Sequence, residues 1–176
     1  SQGVTTTDIT GSQGYNAGTG QDYSNGDYTN SFGGTSSATP AVAGVVALML
    51  QANPGLGYRD VQEILMRSAT KNDANDGGWT TNGAGFSFHH RYGAGLVNAQ
   101  AATSLAQGWS NLPALETRSL TAPALNLDIP DGGQAGLTHA FTVSPADNLR
   151  LEHVTVSIKA THPYRGQLEW WLTSPS

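Results

Sequence analysis

Apolar positions are spread unevenly along this chain. Residues 1–35 offer almost nothing to bury: Val4-Thr5-Thr6-Thr7 is a short strand candidate, and a long loop of Gly, Thr, Ser, Asn and Tyr follows. A loop of that length inside a compact domain points to a functional surface. The texture then changes. Ala38, Ala41, Val42, Val45, Val46, Leu48, Met49 and Leu50 cover every side of a helix over 36–52, which predicts burial all round. Asn53-Pro54-Gly55 stops it. A second helix is expected at about 58–69, where Val61, Ile64, Leu65 and Ser68 share a face and Arg59, Asp60, Gln62 and Glu63 point away from it. A glycine-rich loop covers about 70–96, and a third helix at about 98–107 has Asn98 as its N-cap and Gly108 as its stop.

Beyond that helix the period changes to two. Trp109 to Arg118 has no periodicity, contains Pro113, and reads as a linker. Val154, Val156, Ile158 and Ala160 then alternate with His153, Thr155, Ser157 and Lys159. In the same way Leu168, Trp170 and Leu172 alternate with Glu169, Trp171 and Thr173. Both runs predict half-buried antiparallel strands, with residues 137–143 a weaker third. Of the two tryptophans, alternation sends Trp170 to the core and Trp171 to the surface. Helices first and strands second, across a proline-containing break, argue for two domains. Neither has enough pieces to close a core, and a sheet left open after Ser176 is something natural proteins avoid. The chain therefore reads as cut at both ends.

Composition narrows the function classes. A net charge of -5 with only 8 Lys+Arg in 176 residues argues against a nucleic-acid binder, which needs a basic stripe. The absence of cysteine rules out disulfides and thiolate metal sites. The longest apolar run, Ala41 to Leu50, is too short to cross a bilayer, so no membrane partner is expected.

The chemistry lies in Phe32-Gly33-Gly34-Thr35-Ser36-Ser37-Ala38-Thr39-Pro40. A serine on the first turn of a helix sits beside backbone N–H groups that have no internal partner and at the positive end of the helix dipole. An oxyanion formed by attack of Ser36 on a carbonyl would accept from the Ser36 N–H itself, and one such donor is typically worth about a hundred- to a thousandfold in rate. Gly33 and Gly34 let a substrate backbone approach without a Cβ in the way. Thr35 or Ser36 could instead cap the helix, which would tie the hydroxyl up locally. The nucleophile-elbow pattern G-x-S-x-G does not fit, because position 38 is Ala and "GDYTNSF" is a poor strand candidate.

Gly34-Thr35-Ser36-Ser37-Ala38-Thr39-Pro40, followed by Ala43-Gly44, resembles the active-serine motif of the subtilisin-like serine proteases. "ANPGLGYRDVQEIL" (52–65), "NDGGWTTNGAG" (75–85), "HRYGAGLVNA" (90–99) and Trp109 resemble the kexin and furin-like proprotein convertases in the same order. "LEHVTVSIKATHPYRGQLEWWLTSPS" (151–176) is similar to the start of the P domain of that family. The resemblance implies the C-terminal part of an α/β subtilisin-like protease domain over 1–108, a linker over 109–117, and the N-terminal part of an all-β jelly-roll P domain over 118–176, the two domains in contact.

It also implies a serine endopeptidase acting on protein or peptide substrates by an Asp-His-Ser mechanism, with basic residues preferred before the cut. The alternative is a non-catalytic scaffold or adhesion module on the same fold. Ser36 matches the nucleophile and one oxyanion donor, and Gly34 and Thr35 match the substrate-binding approach. The family's chain order of Asp, His, Ser places the aspartate, the histidine and an oxyanion asparagine before Ser1. His89, His90, His139, His153 and His162 all follow the serine, and His90 matches a structural position packing the loop before Tyr92-Gly93. No cofactor or metal is expected within these residues, while calcium is expected in the full-length enzyme. Asp73-Ala74-Asn75-Asp76-Gly77 lacks the ligand spacing of an EF-hand and is expected to be a solvated loop. The absence of cysteine and of Asn-x-Ser/Thr sites suits a secreted or periplasmic bacterial enzyme.

Overall fold

The computed structural model describes residues 3–18, 20, 22–130, 136–147 and 149–173. The chain divides into two units, one ending at Leu112 and the other beginning at Pro113. The first unit opens with an antiparallel ribbon of β1 (Val4–Thr7) and β2 (Tyr28–Phe32), paired as Val4↔Phe32, Thr6↔Thr29 and Thr7↔Tyr28 with a bulge between Val4 and Thr6. The β-branched run of β1 suits a pleated surface. Strand β2 lies in the stretch expected to be a loop, including the "GDYTNSF" segment judged a poor strand.

Side-chain hydrogen bonds supply what apolar burial does not. Asn16, 2% exposed, reaches the carbonyls of Tyr23 (2.8 Å), Asn25 (3.2 Å) and Tyr28 (2.8 Å) with its amide nitrogen. Its backbone N–H donates to Asp8 (2.7 Å). Asp22 accepts from the Thr29 hydroxyl (2.6 Å) and from the N–H groups of Tyr23 (2.8 Å) and Asn30 (2.7 Å). Burial raises the Asp22 pKa, but these donors outweigh it and hold the carboxyl below its usual 3.8.

Three helices build the core. They are α1 (Thr35–Ala52), α2 (Tyr58–Ser68) and α3 (Ala99–Gln107), with α1 and α2 each packed on α3. Val45, Met49, Leu56, Ile64, Ala102 and Ala106 are buried together, and Val61, Leu65, Val97, Leu105 and Trp109 close around them. Full burial of a side chain such as Met49 or Ile64 contributes about 1.5–3 kcal/mol. α1 is not buried all round: only Val45 and Met49 are, while Leu48 is 48% and Leu50 39% exposed. The described residues supply a packing partner on one side of α1, and an apolar sequence cannot supply the other. At 18 residues and a mean hydropathy of 1.3, α1 is long and apolar enough to cross a membrane. It packs on α3, with Val45 and Met49 in the core cluster.

α2 shows the expected Ile64 face, yet Asp60 and Glu63, expected to point outward, are also buried. Each has partners that compensate. Asp60 accepts from the Gly57 N–H (2.8 Å), the Trp109 indole N–H (2.9 Å) and the Leu112 N–H (2.7 Å), which ties the segment after α3 to the start of α2. Burial pushes the Asp60 pKa up, but the Leu112, Trp109 and Gly57 donors together bring it below 3.8. Glu63 pairs with Arg67 one turn on (2.5 Å). α3 starts as expected, with the Asn98 side chain accepting from the Ala101 N–H (2.9 Å), and Gly108 is its C-cap.

The glycine-rich stretch before α3 is folded rather than a free loop. β3 (Thr80–Thr81) pairs with β4 (Ser87–Phe88), and bridges join Thr70 to Leu96 and His89 to Gly93. Gly95 is required there: its φ is +126°, and a Cβ would come within 2.6 Å of the Thr70 carbonyl oxygen.

In the second unit the described residues contain two 3₁₀ turns, Pro145–Asp147 and Arg165–Gln167, and no strand. The strands expected at 137–143 and 151–160 and around Leu168, Trp170 and Leu172 are therefore not formed there. Ser174 and the two residues after it lie outside the described residues. Trp170 is 54% and Trp171 85% exposed, so neither is a core residue. Alternation says which side of a strand would be buried, but a ladder also needs a neighbouring strand to accept its N–H groups.

Candidate functional site

Strand β2 ends at Phe32, two glycines follow, and α1 begins at Thr35. Gly34 is the N-cap, with φ 73° and ψ -162°, a region essentially restricted to glycine. A Cβ on Gly33 or Gly34 would meet nothing within 4 Å, so the space beside both is open. The cap is neither Thr35 nor Ser36, and no side chain caps the helix.

The hydroxyls that follow divide sharply. The Ser37 Oγ donates to the Gly34 carbonyl (2.9 Å), and the Thr39 Oγ1 donates to the Thr35 carbonyl (2.9 Å). The Gly34 carbonyl also accepts the N–H groups of Ser37 (3.2 Å) and Ala38 (3.3 Å). Ser36 is exposed, and its hydroxyl has no hydrogen-bond partner among the described residues. As first-turn residues, Thr35 and Ser36 have N–H groups with no acceptor inside the helix, so they are donors at its positive end. Pro40, inside the helix, has no N–H to give to the Ser36 carbonyl four residues back. The sequence brings Gly34, Thr35 and Ser36 together at one helix start. All five histidines follow residue 88 in the sequence.

The buried histidine is His89, 3% exposed, not His90. His90 is exposed, with its ring edge-on to Phe88 at 5.5 Å. The His89 Nδ1 accepts the Arg91 N–H (3.0 Å), so Nε2 carries the proton and donates to Asp76 (3.1 Å). Its ring stacks on Tyr92 at 4.6 Å and lies 5.2 Å from Trp79. The register of the turn explains the swap: His89 is bridged to Gly93 and faces inward, and its successor faces out.

The 73–77 segment is a solvated loop, as expected, with Asp73, Ala74, Asn75 and Gly77 exposed and Asp76 half-buried. Asp76 accepts from the Gly78 N–H (2.9 Å), from His89 and from the Arg91 guanidinium. The Gly78 N–H first, then the His89 ring and the Arg91 charge, hold its carboxyl below 3.8. Asp73 accepts from the Tyr92 hydroxyl (3.2 Å). No group of three or more His, Asp or Glu able to hold a metal occurs among the described residues.

Comparison with known proteins bears on the Ser36 segment. The model of the subtilase family (Peptidase S8) matches residues 3–95. The chain is 39% identical over 150 residues to a PC3-like endoprotease, variant B, of Hydra vulgaris, with 84% of this chain and 21% of that protein covered. It is 43% identical over 150 residues to human proprotein convertase subtilisin/kexin type 7, covering 81% of this chain and 19% of that one. Among solved structures it is similar to the serine protease of Aeromonas sobria, with 34% identity and a TM-score of 0.56 over 62% of this chain and 24% of that chain. The same protease in complex with a chaperone matches at 33% identity and a TM-score of 0.56, over the same shares of the two chains. The chain thus spans about a fifth of the length of the curated relatives just named.

Proposed function

Because the chain belongs to the subtilase family, we propose that it carries the nucleophile of a serine endopeptidase, and that this nucleophile is Ser36. One observation carries the reading. Of the four hydroxyls at 35, 36, 37 and 39, those of Ser37 and Thr39 are bonded to backbone carbonyls, and of the two left open the Ser36 hydroxyl is the one that stands at the serine of the family's motif.

In this mechanism the Ser36 Oγ attacks the scissile carbonyl while a histidine takes its proton. The oxyanion accepts from the Ser36 N–H, the histidine returns the proton to the leaving amine, and water then hydrolyses the acyl-enzyme. No histidine lies among residues 1–35, and in the order Asp, His, Ser the base would precede the serine. Gly34 and Thr35 border the path of the substrate backbone. Support for protein substrates comes from the similarity to proprotein convertases. On the same footing we propose a preference for basic residues before the cut, calcium in the full-length enzyme, a secreted or periplasmic location, and a jelly-roll P domain over 118–176. The test is peptide hydrolysis by the full-length protein and by Ser36→Ala. Loss of hydrolysis with an unchanged unfolding temperature supports the endopeptidase, whereas a wild type with no hydrolysis of any peptide supports a scaffold.

A further inference from the structure

We infer that Thr39 is a positioning residue of the reaction: its hydroxyl anchors and polarises the peptide unit whose N–H receives the oxyanion. This rests on Ser36 as the nucleophile. The Thr39 Oγ1 donates to the Thr35 carbonyl, four residues back, at 2.9 Å. That carbonyl and the Ser36 N–H are the two ends of one planar peptide unit, so whatever anchors the first anchors the second. The Ser36 N–H lies on the first turn of α1, has no acceptor inside the helix, and is left as a donor for a reacting oxygen.

Two features separate this bond from the back-bonding that Ser and Thr make anywhere in a helix. First, the anchoring is uneven around Ser36. Pro40 has no N–H for the Ser36 carbonyl, so the peptide leaving Ser36 lacks its helical bond, while the peptide entering it holds the Thr39 hydroxyl. Second, the neighbouring hydroxyl serves a different unit. The Ser37 Oγ donates to the Gly34 carbonyl (2.9 Å), and the other end of that peptide is the Thr35 N–H. Of the two bonded hydroxyls, Thr39 is the one that acts on the Ser36 N–H.

The effect is geometric and electronic. A β-branched side chain has few rotamers on a helix, so Thr39 holds its bond at little entropic cost. A donor on a carbonyl oxygen draws charge along the peptide and strengthens the N–H at the other end, by about 10–30% per bond. The negative charge which that N–H meets develops only in the transition state, so the contribution falls in kcat and not in KM.

The experiment uses the full-length protein, with a fluorophosphonate whose oxygen takes the oxyanion's place and a panel of peptide nitroanilides. Thr39→Val keeps the branching of the side chain and removes the hydroxyl, whereas Thr39→Ser keeps the hydroxyl. Rates are counted per Ser36 site labelled at completion, so unfolded protein does not enter them. In Thr39→Val the labelling rate and kcat fall by about tenfold with KM unchanged, less than the loss of an oxyanion donor itself costs. Thr39→Ser restores most of both, and Ser37→Ala, which removes a bond of the same length from the neighbouring peptide, loses less than Thr39→Val. Rates in Thr39→Val equal to wild type, a change in KM alone, no recovery in Thr39→Ser, or an equal loss in Ser37→Ala overturns the role of Thr39 and leaves the nucleophile standing. Absence of labelling at Ser36 in the wild type overturns both.

Discussion

Replacing Gly34 with alanine isolates the backbone requirement at the start of α1. With φ 73° and ψ -162°, Gly34 lies where L residues are strained by about 1–3 kcal/mol. A Cβ there would meet no atom within 4 Å, so steric clash adds nothing and the whole cost is conformational. Gly33 has the same open surroundings without a positive φ, so Gly33→Ala is a matched control expected to fall within about 0.5 kcal/mol of wild type. In a domain of 150–250 residues each kcal/mol lowers Tm by about 2–4 °C. The functional cost is larger, because relief of the strain turns the peptide that leads into Ser36. A displacement of about 1 Å at a reacting group costs on the order of a hundredfold. Thermal unfolding and the rate of fluorophosphonate labelling, measured on full-length Gly34→Ala and Gly33→Ala, separate the two effects. Equal stability and equal labelling rates for both variants would refute the reasoning, since the glycine would then not be required by its φ.

Ile64→Ala in the core is expected to cost about 2–5 kcal/mol in a urea titration, against about 0.5 kcal/mol or less for Tyr58→Ala, which is 73% exposed. Asp60→Ala leaves the Trp109 and Leu112 N–H groups without their acceptor and is expected to cost at least about 1–3 kcal/mol. A red shift of Trp109 emission should accompany it. Asp8, Asp22, Asp60 and Asp76 all have folded pKa values below 3.8. Depressed carboxylate values mean that their stabilisation is complete above the unfolded pKa and is lost as pH falls through the folded values. The urea midpoint should therefore drop below about pH 4, and Asp60→Ala should show a shallower drop than wild type.

What the sequence made legible was local chemistry. Asn98 and Gly108 mark both ends of α3, and Gly-Gly followed by hydroxyls and Pro40 marks the start of α1, because caps and breakers act through their immediate neighbours. Strand β2 was not legible, since Tyr28–Phe32 lacks alternation and is held by Asn16 and Asp22, six or more residues away in sequence. The inward turn of Asp60 was equally hidden, because its indole partner lies 49 residues on. Ser36 was visible as a candidate from its motif, but its free hydroxyl was not. That depends on Gly34 rather than a hydroxyl residue capping the helix, with Ser37 and Thr39 bonded back to the chain. In the 113–173 stretch alternation is present as a pattern, but no ladder occurs among the described residues, because a pattern carries no partner.

The most direct test of the central claim is the position of a fluorophosphonate adduct, mapped by peptide mass spectrometry on the full-length protein. The account predicts one adduct, on the Ser36 hydroxyl, absent in Ser36→Ala and retained in Ser37→Ala because the Ser37 hydroxyl is already bonded to the Gly34 carbonyl. An adduct on Ser37, or labelling that survives Ser36→Ala, would contradict it.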